Sequence, residues 1–139
     1  MTTALTTATA QAVTPRYATL TMTGVAAAAV ASAATMTVAA AGNAAGVSLD
    51  MAGAPIPVTG FGVLTAAFSL IGLVIAVALA RWARHPRRAF LRTTVALTAL
   101  SFVPDLLADA APATKALLML THLVAAVIVV PAIARKLAS

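Results

Sequence analysis

Four apolar runs alternate with short stretches that carry most of the charge. The runs cover about residues 17–41, 58–80, 89–108 and 116–134. A helix needs about 20 residues to cross a hydrocarbon core of roughly 30 Å. Each run is close to that length, so the pattern predicts four membrane-spanning helices. The stretch 42–57 is broken by Gly, Pro and Asn and reads as a loop holding Asp50. Residues 81–88 contain His85-Pro86 and turn the chain back, and residues 109–115 form a second short loop.

The expected fold class is an all-α membrane protein, an up-down four-transmembrane-helix bundle. It occupies residues 17–137 as one domain, behind a flexible Thr/Ala-rich tail over 1–16. The first run ends in small residues near Ala39-Ala40-Ala41, as a cleaved signal peptide does. It is long for a signal peptide's apolar segment, which favours a retained helix.

Composition supports the class. Apolar residues make up 62% of the chain and charged ones 9%, against about 25% charged in soluble proteins. Mean hydropathy is +1.03. With no cysteine, disulfides and thiolate chemistry are excluded. The net charge of +6 does not point to nucleic acid, because eight of the nine basic residues flank the apolar runs. They are Arg16, then Arg81, Arg84, Arg87, Arg88 and Arg92, then Arg135 and Lys136. That distribution follows the positive-inside rule and predicts cytoplasmic termini.

Helix contacts in lipid depend on small residues. Two stripes at helical spacing are the expected seams: Thr21, Gly24, Ala28, Ala31 and Thr35, and then Thr65, Ser69, Gly72, Ala76 and Ala80.

Candidate chemistry begins with Asp105. Only twelve uncharged residues separate it from Arg92, so a span of sufficient length carries it into the membrane. Ionisable groups there are costly and mark candidate functional sites. The fourth span holds one histidine, His122. Asp105 lies 13 residues from Arg92 and His122 lies 13 residues from Arg135. At 1.5 Å per residue both sit about 20 Å from their basic anchors, and consecutive helices are usually neighbours. Equal depth on neighbouring helices allows an Asp105–His122 contact, and the count does not fix the rotation of either helix.

Thr98 and Ser101 share the helical stripe of Asp105, with Asp109 and Lys115 at the mouth of an outward-opening polar pocket. Met119 lies beside His122 on the fourth span, and Thr65 offers a hydroxyl from the second. This set is the candidate ligand site. If the protein is an enzyme, Asp105 and His122 are its acid–base pair. A purely structural reading stands beside these. Pro104 frees the carbonyl of Leu100 and predicts a kink, and Asp105 then caps the restarted helix or fastens it to His122. One deep aspartate and two histidines at opposite ends assemble no metal site, and no cofactor motif is present.

Three motifs carry a resemblance: Pro55-Ile56-Pro57-Val58-Thr59-Gly60-Phe61, Val103-Pro104-Asp105-Leu106-Leu107 and Thr121-His122-Leu123-Val124-Ala125. With the Arg-rich middle loop and Pro131, the chain resembles a family of small actinobacterial four-helix membrane proteins of unknown function. The resemblance covers about residues 17–137. It implies a four-span fold in an actinobacterial plasma membrane, with its Pro-Asp and Thr-His positions on Asp105 and His122, and it implies no activity.

The leading expectation is a small membrane binding or accessory protein that holds a lipophilic small molecule or packs on a larger membrane partner or a second copy, surrounded by membrane lipid. The alternatives are an intramembrane isomerase, cyclase or hydrolase acting through Asp105 and His122, and a proton-coupled carrier.

Overall fold

The computed structural model describes residues 14–137. Four helices account for most of them: α1 (Thr14–Ala44), α2 (Val58–Trp82), α3 (Pro86–Leu107) and α4 (Pro112–Lys136). Between α1 and α2 lies a small antiparallel hairpin of β1 (Asp50–Met51) and β2 (Ala54–Pro55). All four helices are long and apolar enough to cross a membrane. The tail expected over 1–16 lies outside the described residues up to position 13, and residues 14–16 form the first turn of α1.

The loops are shorter than the sequence pattern implied, because local signals carry the helices further. Pro86 and Pro112 stand at the first turns of α3 and α4, where a missing N–H costs nothing and φ is already helical. The turns shrink to residues 83–85 and 108–111. At the other end of α1, Gly46 adopts φ 87°. Its N–H donates to the Asn43 carbonyl and that of Val47 to the Gly42 carbonyl. This pairing closes a helix C-terminus when the residue past the end is left-handed. Within the 42–57 stretch, expected as a plain loop, α1 runs on to Ala44 and residues 50–55 form the hairpin. Ala52 and Gly53 both take positive φ at its turn, the two-residue geometry whose twist matches the flanking strands.

The helices form a ring in which α1 packs against α2 and α4, and α3 closes the opposite side against the same two. The end of the bundle where α1 starts and α4 stops carries the arginine clusters, and the other end carries the hairpin and the α3–α4 turn. They are called here the basic end and the hairpin end.

Because lipid solvates apolar side chains as well as protein does, close backbone approach holds α1 in place. Gly24, Ala28, Ala31 and Thr35 are buried in one seam, while Thr21 is exposed and donates to its own helix. A side chain at Gly24 would meet Leu73 of α2, and one at Gly62 would meet Met36 of α1. Across the same seam the Thr35 and Thr65 hydroxyls share a hydrogen bond of 2.9 Å.

The apolar core has two parts. Near the basic end Leu20, Ala31, Leu73, Ala76, Phe90 and Ile133 pack together. Near the hairpin Ala39, Leu49, Phe61 and Leu117 do so. The hairpin is tied down by Thr114, whose hydroxyl donates to the Ser48 carbonyl, and by the Ala52 N–H, which donates to the Asp109 carbonyl at 2.8 Å.

Ala31 is fully buried in the α1 seam whereas Ala29 is exposed. We expect Ala31→Leu to lower stability by about 1–3 kcal/mol through overpacking, and Ala29→Leu to leave it unchanged. Thermal unfolding in mild detergent, followed by circular dichroism, measures both. Equal midpoints for the two variants would contradict α1 as the tightly packed helix.

Candidate functional site

α3 contributes few buried side chains, and Phe90, Thr94 and Asp105 are the main ones. Burial of Asp105 is therefore a specific feature of how α3 docks, since the helix's large apolar residues Val95, Leu97, Leu100, Val103, Leu106 and Leu107 are exposed. The partner of the carboxylate is on the next helix. His122 Nδ1 and Asp105 Oδ2 are 2.8 Å apart. Side chains lean toward the N-terminus of their own helix. On antiparallel α3 and α4 the two side chains lean in opposite directions along the bundle, so it is the rotation of both helices into their shared interface that makes the contact.

The two residues are unequally covered. The Asp105 side chain is 9% exposed and that of His122 is 37% exposed. An ionised carboxylate only accepts hydrogen bonds. Nδ1 is the donor when the carboxylate is ionised, and in every case Nε2 is left as the ring's remaining hydrogen-bonding atom. The edge of Phe102 packs on the imidazole, with ring centroids 6.4 Å apart and planes at 67°.

The other candidate residues are distributed differently. Ser101 donates to the Thr98 carbonyl at 2.7 Å, so its hydroxyl serves its own helix. Lys115 Nζ donates to the Leu106 carbonyl at 2.9 Å, capping the end of α3. A cation there also suits the helix dipole. Asp109 is exposed in the α3–α4 turn, and its backbone carbonyl holds the hairpin. Thr65 belongs to the α1–α2 seam through Thr35. Met119 is half-buried on α4.

Thr98 lines an apolar groove between α3 and α4 that lies on the basic-end side of the pair. The polar centre itself is thus Asp105 and His122, with Phe102 beside them. Phe102 went unnoticed in the sequence, although it lies three residues before Asp105 and so on the same helical face. Among the described residues no group of three or more His, Asp or Glu stands together.

A ring of four membrane-length helices with an Asp–His pair across two of them defines a small multi-pass membrane protein. Within that class, residues 15–139 match the family of unknown function DUF6069, and the chain belongs to that family. No curated protein and no solved structure matches it.

Removing one member of the pair leaves the other without its partner, whereas removing both does not. We expect His122→Phe to cost about 1–3 kcal/mol of stability. The double variant Asp105→Leu/His122→Phe should recover most of that loss. A double variant as unstable as the single one would show that the pair does not couple α3 to α4.

Proposed function

We propose that this protein is a binding protein of a bacterial plasma membrane whose Asp105–His122 pair holds the polar group of a lipophilic ligand. The observation that carries the reading is the allocation of the two ring nitrogens. Asp105 engages Nδ1, and the imidazole remains 37% exposed; in the neutral ring that donates from Nδ1, Nε2 is an acceptor. Inside a bilayer such an acceptor has no water to satisfy it. A membrane-soluble alcohol or phenol supplies the missing donor, so a hydroxyl-bearing lipophile is the favoured ligand class.

The basic end faces the cytoplasm in this proposal, as the placement of arginines at that end and of Asp50 and Asp109 at the other supports. The family resemblance favours an actinobacterial membrane. A second reading rests on the same hydrogen bond. A carboxylate that fixes an imidazole through Nδ1 also orients Nε2 as a general base, so a ligand bound there is also a candidate substrate for isomerisation, cyclisation or hydrolysis.

Two experiments test this reading. Protein purified in mild detergent should carry a lipophile, identified by mass spectrometry of the extract, that is lost from folded His122→Phe. Identical extracts from folded wild-type and variant protein would refute the binding role. Conversion of the recovered compound by wild type but not by folded Asp105→Asn would move the protein into the enzyme class.

Orientation is tested on this cysteine-free chain by single cysteines. A membrane-impermeant maleimide should label Ala54→Cys on intact cells and should spare His85→Cys. The reverse pattern would invert the topology.

A further inference from the structure

The groove between α3 and α4 has a volume of about 490 Å³. Val95, Ala99 and Phe102 form one wall, and Val127, Val130 and Pro131 the other. It exists because small Ala99 and Ala126 face the gap and because α3 packs less closely than α1 does. Thr94 also borders it, but its hydroxyl donates to the Phe90 carbonyl of its own helix. The walls are therefore apolar, and Phe102 closes the deep end against His122.

The helical repeat extends both walls toward charge. Arg88, Arg92, Val95, Ala99 and Phe102 follow steps of four and three residues, which keep one face of α3. Val127, Pro131 and Arg135 do the same on α4 in steps of four. Three exposed arginines thus stand at the shallow end of the groove, and the chain's acidic side chains, Asp50, Asp105 and Asp109, all lie elsewhere.

The length also fits one leaflet. From Arg92 to Phe102 is ten residues, or about 15 Å at 1.5 Å per residue, half of a hydrocarbon core of roughly 30 Å.

We propose that this groove is a binding site for an anionic phospholipid, with one acyl chain lying between α3 and α4 and its phosphate held by Arg88, Arg92 and Arg135. Guanidinium groups match phosphate oxygens in both charge and geometry. The depth of the groove brings the chain end to Phe102 when the phosphate is at the interface. The site does not depend on a ligand at His122.

Native mass spectrometry of the detergent-solubilised protein with equimolar dioleoyl phosphatidylglycerol and dioleoyl phosphatidylcholine tests the proposal. We expect retention of phosphatidylglycerol with a preference on the order of tenfold. The triple variant Arg88→Gln/Arg92→Gln/Arg135→Gln should lose that preference. Ala99→Phe and Val127→Phe, at exposed positions that fill the groove, should lose retention with all arginines present, whereas Ala29→Phe on α1 should keep it.

Asp105→Asn should also retain the lipid, which separates this site from the proposed function. Wild-type preference in both groove-filling variants would overturn the proposal, since lipid retention would then not use the groove. Displacement by excess inorganic phosphate would also overturn it, since that would place recognition in the headgroup charge alone.

Discussion

The bundle depends on close backbone contact along α1. In water, burying large apolar side chains would drive assembly, but in lipid those side chains are already solvated. What protein offers that lipid does not is tight packing at a small-residue surface. Gly24, Ala28, Ala31 and Thr35 provide it, and Leu73 of α2 fills the space that Gly24 leaves. The exposed Val63, Leu64, Phe68, Ile71 and Val74 on the outside of α2 fit the same logic, since their natural solvent is the acyl chain.

α3 is held in another way. Its few buried side chains give it little of the seam that fixes α1: Phe90 anchors it in the core near the basic end, and polar contacts join it to α4 at the other. The Asp105–His122 hydrogen bond and the Lys115 contact to the Leu106 carbonyl both lie toward the hairpin end. Towards the basic end the two helices leave a groove. One loosely packed helix therefore accounts for both distinctive features of the molecule, the intramembrane pair and the apolar channel beneath it. The pair fastens α3 to α4 through one nitrogen of the ring, and the imidazole remains 37% exposed.

Part of the site was legible in the sequence. The short interval from Arg92 forced Asp105 into the membrane, and counting from the basic anchors put His122 at its level. The hydroxyls were not assignable in this way. Thr65 turned to Thr35, and Ser101 turned back to Thr98. A hydroxyl in a helix has a carbonyl of its own helix within reach, so helical spacing alone does not say whether it faces a ligand. The hairpin was missed for a related reason. Its strands are two residues each, too short to show alternation.

The sequence by itself determined the four spans, the separation of basic and acidic ends, and the depth of Asp105 and His122. Each follows from constraints that act locally along the chain: a spanning helix must satisfy its own backbone over a fixed thickness, and arginines gather at its ends. Only the tertiary structure decided rotation. It turned Asp105 toward His122, Thr65 into the α1 seam, and Ala99 with Ala126 toward the groove. Rotation about a helix axis is set by which small surfaces interlock with a distant helix, and a helix apolar on every side does not record that choice in its own hydropathy.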